Sequence, residues 1–196
     1  MSSAGIYTVT GIDANGCVNT NTVNVIINPL PIVTAGGATV CETQNINLTS
    51  TPNGAAAYSW SGPLGFISNL QNPSIAGATP GMAGTYVVTV TDGNGCVNAN
   101  VAQVAINSLP VVSANSGTVC IGQTSATLNA NGANTYNWSP ATGLSSTTGA
   151  TIVATPGSTT IYTVTGTDIN GCQSTSTLTV FVNPAPTVSI TPNVSG

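Results

Sequence analysis

The 196-residue sequence contains no lysine, arginine or histidine, so it carries no basic side chain. Nucleic-acid binding depends on such cations to displace the counterions of the phosphates, and this function is therefore excluded. General acid–base catalysis usually relies on histidine, lysine or paired carboxylates. The four carboxylates are instead scattered singly along the chain, at Asp13, Glu42, Asp92 and Asp168. We therefore expect no enzyme activity, no catalytic residue and no cofactor.

Long apolar runs are also absent. No stretch of about 18 apolar residues is present, so the sequence predicts no membrane-spanning helix. The first residues lack the basic region and apolar core of a signal peptide. Apolar residues alternate with Ser, Thr and Asn in many short stretches, a pattern typical of strands with one buried face.

One motif occurs three times, and the rest of the sequence is arranged around it. In each copy a Tyr precedes a Cys by ten residues, within a strand-like run followed by an Asp-x-Asn-Gly-Cys turn; the copies are Tyr7 to Cys17, Tyr86 to Cys96 and Tyr162 to Cys172. A second strand-like run closes each copy at Asn28, Asn107 or Asn183. The pattern predicts a β-hairpin. The cysteines are separated by 79 residues (17 to 96) and 76 residues (96 to 172), a period suited to small domains in series.

This period predicts four segments. Residues 29–107 and 108–183 are two whole repeats, residues 1–28 are the C-terminal part of a truncated repeat, and residues 184–196 begin a further one. Short strands at regular spacing with many turn residues predict an all-β fold of tandem antiparallel immunoglobulin-like β-sandwich domains in series. We expect this sequence to be a window of a longer chain. Strand donation by residues 187–191 to a neighbouring subunit is the alternative.

The five cysteines predict a disulfide framework. Within each repeat we expect Cys41 to pair with Cys96 and Cys120 with Cys172, which gives one disulfide per domain and leaves Cys17 unpaired. Spacings far from CxxC and the absence of histidine argue against a zinc site. Disulfides persist in oxidising environments, so the sequence predicts an extracellular or cell-surface location.

The Asp-x-Asn-Gly turns allow two interpretations. Their oxygen-rich side chains resemble a calcium-binding loop, but calcium takes about six to eight oxygen ligands, usually with several carboxylates, and each turn offers one. Asp and Asn also bond to their own backbone in tight turns. We therefore predict structural turns and no metal site.

The aromatic residues have similar alternatives. Trp60 and Trp138 lie one strand after the first Cys, where sandwich domains bury a large aromatic, so we predict core positions and not sugar-stacking platforms. The motif tyrosines are predicted to make a corner hydrogen bond. Phe66, with Leu64 and Ile67, forms an apolar cluster in a loop and is a candidate contact surface.

Three triplets fit the N-glycosylation pattern. They begin at Asn47, Asn137 and Asn193, which are candidate glycosylation sites. In a chain this rich in Asn, Ser and Thr such triplets also arise by chance. O-linked sugars on Thr are an equal alternative.

Five elements in order carry a resemblance to a known family: Val-Cys, Tyr-x-Trp, Ala-Thr-Pro-Gly, the Tyr to Asp-x-Asn-Gly-Cys hairpin, and an Asn-Pro-x-Pro link at residues 28–31 and 183–186. The pattern resembles the immunoglobulin-like and PKD-like tandem repeats of large Bacteroidetes cell-surface proteins, including gliding adhesins and other type IX-secreted proteins. The resemblance implies a secreted, filamentous or adhesive role without catalytic residues.

Two functions follow as hypotheses. The first is a structural repeat unit of an extracellular filament or stalk-like adhesin, whose partners are other copies of itself or the continuation of the same chain. The second is a glycan- or surface-binding adhesive module that uses loops such as residues 62–77.

Overall fold

The computed structural model describes residues 3–122 and 124–190. Helical geometry among them is limited to two short 3-10 turns, Pro63–Gly65 and Pro80–Met82. The predicted all-β class is therefore confirmed. The strands are β1 (Gly5–Ile12), β2 (Val18–Val25), β3 (Thr34–Gly36), β4 (Ala38–Cys41), β5 (Ile46–Asn47), β6 (Thr49–Thr51), β7 (Ala57–Ser61), β8 (Ile67–Ser68), β9 (Ser74–Ile75), β10 (Gly84–Thr91), β11 (Val97–Asn107), β12 (Ser113–Ala114), β13 (Gly117–Cys120), β14 (Ala126–Asn131), β15 (Thr135–Ser139), β16 (Thr151–Ala154), β17 (Thr160–Thr167) and β18 (Gln173–Asn183).

By its contacts the chain divides into two compact units. Of the described residues, the first unit holds 3–38, 45–76 and 81–105, and the second holds 39–44, 77–80, 106–122 and 124–190. In the described part of the chain no helix is long and apolar enough to cross a membrane.

The second unit is a β-sandwich. One sheet has the order β12–β14–β16, and the other has the order β13–β18–β17–β15. Neighbouring strands are antiparallel except for β13, which runs parallel to β18. Two such sheets form the arrangement of immunoglobulin-like domains. The buried Trp138 of that arrangement lies on β15, which pairs with β17 of the last hairpin.

The core of the second unit lies between these two sheets. Period-2 alternation on β14, with Ala126, Leu128 and Ala130 buried, directs every second side chain inward. A fully buried Leu or Val stabilises the fold by about 1.5–3 kcal/mol. The remaining buried members of the core are Val119, Tyr136, Trp138, Ile152, Ala154, Tyr162, Val164, Leu178 and Val180.

The first unit is built on the same strand pairs. Strand β10 pairs with β11 and β7, and β7 pairs with β8. Along β10 the alternate residues Tyr86, Val88 and Val90 are buried. The alternating polar and apolar stretch at residues 45–49 is divided between β5 and β6. Its division follows from its partners, since β5 pairs with β9, β6 pairs with β3, and the amide of Leu48 between them donates to the carbonyl of Pro73.

The three motif hairpins share one register. Tyr7 faces Val23, Tyr86 faces Ala102, and Tyr162 faces Leu178, so each Tyr partners the residue sixteen positions later. Their surroundings differ. Every residue of β1 and β2 is exposed, whereas alternate residues of β10 and β17 are buried.

Candidate functional site

The hairpin turn before each second cysteine is held by the motif Asp. In all three copies one Asp carboxylate oxygen, Oδ1, accepts hydrogen bonds from two backbone amides, both at 2.8 Å: that of the Asn two residues later and that of the Cys four residues later. The Asp amide donates to the Cys carbonyl at 2.9–3.0 Å. This geometry supports the interpretation of the Asp-x-Asn-Gly element as a structural turn.

The Gly before each of these cysteines completes the turn. Gly16, Gly95 and Gly171 have φ values of +86°, +81° and +82°. L side chains are unfavourable in this left-handed region because Cβ approaches the backbone. The spacing Asp-x-Asn-Gly-Cys is therefore dictated by backbone conformation.

A second recurring turn follows the first cysteine of each whole repeat. The amide of Cys41 donates to Gln44 Oε1 at 3.0 Å, and the amide of Gln44 donates to the Cys41 carbonyl at 3.2 Å. The amide of Cys120 donates to Thr124 Oγ1 at 2.6 Å, and the amide of Thr124 donates to the Cys120 carbonyl at 3.3 Å. Cys41 and Cys120 therefore occupy equivalent positions. The sequence analysis missed Gln44 and Thr124, whose signal is a hydrogen-bonding side chain three or four residues after each first Cys.

The closing Asn of each whole repeat lies beside its first cysteine. The amide of Glu42, which follows Cys41, donates to the Asn107 carbonyl at 2.9 Å, and the amide of Ile121, which follows Cys120, donates to the Asn183 carbonyl at 3.1 Å. We call each such position a closing-Asn junction.

The hairpin cysteine of the next repeat reaches the same junction. Cys172 Sγ lies 4.0 Å from the carbonyl oxygen of Asn107. Cys96 Sγ lies 3.9 Å from the carbonyl oxygen of Asn28, the closing Asn of residues 1–28. Hairpin cysteines therefore lie beside the closing Asn of the preceding repeat.

The disulfide joins Cys41 to Cys172, with the Cα atoms 5.5 Å apart. Both predicted pairings, Cys41 with Cys96 and Cys120 with Cys172, are wrong. Cys120 pairs alongside Asn183, at the far end of β18 from Cys172. Eleven residues at a rise of about 3.3 Å each separate the two cysteines by roughly 36 Å, whereas disulfides need Cα atoms within about 7 Å. Strand β11 has the same length between Cys96 and Asn107.

The other three cysteines, Cys17, Cys96 and Cys120, are free thiols, which contradicts the expected pairing of Cys96 and Cys120. Cys41 and Cys172 are buried, with 8% and 0% of their surface exposed. Cys120 is exposed although its backbone contacts match those of Cys41. The disulfide indicates an oxidising compartment, typical of extracellular proteins.

Glu42 adds a contact at the Asn107 junction. Its Oε2 accepts a hydrogen bond from the amide of Leu109 at 3.0 Å, in the segment that leads into the next repeat. At the equivalent position of the following repeat stands Ile121, which is 45% exposed. Glu42 was not among the predicted site residues, although it is the only Glu in the chain and directly follows a first Cys.

Both Trp residues are core residues, as predicted. Trp60 and Trp138 are 1% and 2% exposed. Their Nε1 atoms donate to backbone carbonyl groups, that of Trp60 to Gln71 at 3.2 Å and that of Trp138 to Gly149 at 2.9 Å. Neither indole presents a face for a sugar.

The motif tyrosines make hydrogen bonds of two kinds. Tyr7 and Tyr86 donate to the carbonyl four residues upstream, Ser3 at 2.9 Å and Met82 at 3.0 Å, which is the predicted corner. Tyr162 donates instead to the carbonyl of Thr142 at 2.6 Å. Burial raises the pKa of the Tyr86 hydroxyl. Burial also raises the pKa of Tyr162, although a hydroxyl contact with Thr160 partly offsets the rise.

The candidate glycosylation residues lie on strands. Asn47 and Asn137 are exposed on β5 and β15. The Asn47 side-chain oxygen accepts a hydrogen bond from Ser74 Oγ at 2.7 Å. Asn193 lies outside the described residues, as do residues 191–196 of the predicted further repeat, and residues 184–190 form no strand.

The loop cluster is only partly exposed. The Phe66 ring packs edge-on against Tyr86, with the ring centroids 5.5 Å apart. Leu64 and Ile67 are 74% and 80% exposed. Among the described residues no three His, Cys, Asp or Glu side chains come together in a way that could hold a metal ion.

Comparisons with known proteins find similarity in structure alone. No protein family and no curated protein matches the sequence. Among solved structures, murine CEACAM1b has 14% identity and a TM-score of 0.35 over 79% of this chain and 100% of its own. A calcium-stabilised adhesin of an Antarctic ice-binding bacterium has 13% identity and a TM-score of 0.47 over 92% of this chain and 57% of its own. The three N-terminal domains of the bacteriophage RB49 outer capsid protein Hoc have 19% identity and a TM-score of 0.40 over 76% of this chain and 58% of theirs. At these values the similarities indicate nothing about what this chain binds.

Proposed function

We propose that this chain is a structural repeat segment of an extracellular or cell-surface filament or stalk-like adhesin. The observation that carries the proposal is the Cys41–Cys172 disulfide, which joins the first cysteine of residues 29–107 to the hairpin cysteine of residues 108–183. A disulfide between consecutive repeats is a second covalent connection in addition to the peptide chain. Repeats whose disulfides are internal are joined by the peptide chain alone. This arrangement suits a protein that transmits tension.

The composition supports the same role. A chain without Lys or Arg offers no cleavage site to trypsin-like proteases, which is an advantage outside the cell. The hairpin turns are closed by backbone bonds and one carboxylate each, so they hold their shape without a cofactor. The segment Pro29-Leu30-Pro31 favours an extended connection between repeats.

Imaging of native material tests this function. Antibodies raised against the chain should label extracellular fibres in negative-stain micrographs, and the labelled fibres should show a regular domain spacing. Labelling of compact, separate particles without any fibre would contradict the filament role.

A second candidate function is a surface- or glycan-binding module. It is favoured by the exposed apolar side chains Leu64, Ile67 and Leu70, which are 74%, 80% and 66% exposed in one loop region. A glycan array probed with the chain tests it, with Ile67→Ser as the matched variant. Binding that is lost in the variant supports this function, and no binding above background removes it.

A further inference from the structure

We propose that the surface around Cys120 is a docking site for the Asp-x-Asn-Gly-Cys hairpin of a following repeat of the same kind, to which Cys120 becomes disulfide-bonded. Cys96 is the complementary half of such a link toward a preceding repeat. This inference concerns covalent pairing and stands whether or not the protein forms a filament.

The hydrogen bonds around Cys120 resemble those around the bonded Cys41, although the bonded side chain lies four residues later and not three. In both turns a nearby side-chain oxygen accepts a hydrogen bond from the cysteine amide. The amide of the next residue donates to the carbonyl of the closing Asn, which is Asn107 at Cys41 and Asn183 at Cys120. At the Asn107 junction the remaining place is taken by Cys172, which is bonded to Cys41. Among the described residues the Asn183 junction has the same backbone hydrogen bond to the closing Asn, but it has no hairpin and Ile121 stands in place of Glu42.

A groove marks where the hairpin would lie. It is lined by Cys120, Thr124 and Ser125 together with Thr155, Pro156 and Gly157. The corresponding segments of the preceding repeat, Thr39–Gln44 and Gly77–Pro80, group by their contacts with residues 106–122 and 124–190, which contain the Cys172 hairpin. The segments that line the groove at Cys120 therefore correspond largely to segments that group with the bonded hairpin at Cys41.

Exposure agrees with this assignment. Cys41 is 8% exposed, whereas Cys120 is exposed, and the neighbouring Ile121 is an apolar side chain that is 45% exposed. An exposed thiol beside an exposed apolar residue becomes buried if a hairpin occupies the groove. Burial of Ile121 would then favour docking.

The hairpin half of the link is also present in this chain. The Cys96 turn has the same Asp hydrogen bonds as the Cys172 turn. Its Sγ lies 3.9 Å from the Asn28 carbonyl, close to the 4.0 Å between Cys172 Sγ and the Asn107 carbonyl. Cys96 is thus placed to meet a first cysteine at the Asn28 junction, as Cys172 meets Cys41.

The chemistry is thiol–disulfide exchange. Two thiols form one S–S bond and release two protons and two electrons, and a low-molecular-weight disulfide such as oxidised glutathione takes them up to become two thiols. The first thiolate attacks the small disulfide, and the second thiolate then displaces the small thiol from the mixed disulfide.

The test extends the chain by one repeat. Residues 108–183 are repeated directly after Asn183, and the added copy carries Thr118→Ser and Thr175→Ser as mass labels. The protein is oxidised with a glutathione redox buffer and digested with chymotrypsin, and the linked peptides are identified by mass spectrometry.

We expect Cys120 to be linked to the labelled Cys172 of the added copy. The Cys41–Cys172 link in the same digest reports that the protein is folded and oxidised.

Two results would overturn the proposal in a sample that contains the Cys41–Cys172 link. One is a labelled Cys172 that is bonded to the Cys120 of its own added copy, and the other is a labelled Cys172 that stays a free thiol. A disulfide-linked dimer of the unextended chain through Cys120 and Cys96 would also overturn it, since the occupant would then be a second copy.

A second variant tests the other half independently. Here residues 29–107 are repeated before Pro29 in place of residues 1–28, and the added copy carries Thr39→Ser as its label. We expect the added Cys41 to bond to Cys96. Bonding of the added Cys41 to the Cys96 within the added copy would contradict the proposed register.

Discussion

The Cα atoms of Cys41 and Cys172 lie 5.5 Å apart although 131 residues separate them in the sequence. The bond therefore closes a loop that includes most of the first whole repeat and most of the second. Tension applied to the two ends of the chain bypasses this loop, because the disulfide shortens the path between the points of attachment. The bond thus limits how far the protein extends when its strands separate.

Single-molecule stretching should detect this loop. Under oxidising conditions full unfolding should leave residues 41–172 unextended. Reductant or the Cys41→Ser variant should add about 430–470 Å of contour length, which is the 131-residue separation multiplied by about 3.3–3.6 Å per residue. Cys17→Ser, which removes an exposed free thiol, is the control and should change nothing. An equal contour length with and without reductant would show that the bond is not formed.

The two glycines of one hairpin turn should respond differently to the same substitution. Gly95 has φ +81°, whereas Gly93 lies outside the left-handed region, and a Cβ at either position meets no atom within 4 Å. Gly95→Ala should lower the free energy of unfolding by about 1–2 kcal/mol. Gly93→Ala should leave it unchanged or raise it by up to about 1 kcal/mol. Urea denaturation of both variants gives the comparison, and equal losses would contradict the assigned turn geometry.

Trp138 is expected to contribute to stability through both its buried ring and its indole N–H. Trp138→Phe removes both the donor to the Gly149 carbonyl and part of a buried ring, so unfolding should become easier by about 1–3 kcal/mol or more. Ile169→Ala, at a side chain that is 85% exposed, is the control and should lie within about 0.5 kcal/mol of the parent. Thermal denaturation followed by circular dichroism measures both. A neutral Trp138→Phe would contradict the assigned core position and hydrogen bond of this side chain.

Stability should fall in alkaline solution because of the buried tyrosines. Burial raises the pKa of Tyr86 and Tyr162, so the folded protein retains these protons at pH values where the unfolded chain loses them. The resulting stabilisation is complete below the unfolded pKa of about 10 and is lost as the pH rises through the higher folded pKa. Urea denaturation between about pH 8 and 11 should show this decline. The decline in the free energy of unfolding with pH should be smaller in Tyr86→Phe. An equal decline in that variant would show that Tyr86 does not cause it.

Calcium should not stabilise the hairpin turns. Oδ1 of each motif Asp already accepts two backbone amides, and each turn has one carboxylate, far from the about six to eight oxygens that calcium takes. The thermal midpoint should therefore be the same with added calcium and with EDTA. Asp92→Asn is the matched variant, since it keeps Oδ1 as an acceptor and removes the charge. A saturable rise in the midpoint that Asp92→Asn abolishes would reverse this interpretation.

The sequence was sufficient for local structure and for the choice of core. The Tyr to Cys hairpins follow from alternation and from turn residues that each have a backbone reason, such as the positive φ of Gly171. The burial of Trp60 and Trp138 follows from their size and their place one strand after a cysteine. These features depend on neighbours in sequence or on a single packing rule.

The disulfide pairing could not be predicted from neighbours in sequence. Pairing two cysteines of the same repeat ignores the length of the strand that separates them. The spacing of eleven residues from Cys172 to Asn183 was visible in the sequence, and as an extended strand it separates Cys172 from any group beside Asn183. What the sequence did not show is that Cys120 pairs in parallel with the end of β18. The split between β5 and β6 is a similar case, since it depends on which strands their residues meet.

Glu42 makes the two whole repeats chemically different at their first cysteine, since Ile121 stands at the equivalent position of the second. Replacing the Cys41 turn with the Cys120 turn would put Ile121 where the Glu42 carboxylate accepts a hydrogen bond from the Leu109 amide. The hairpins and the cysteines would be preserved in such a product, but this junction would lose its hydrogen bond. The two repeats are therefore not interchangeable at this junction, and their order matters as well as their number.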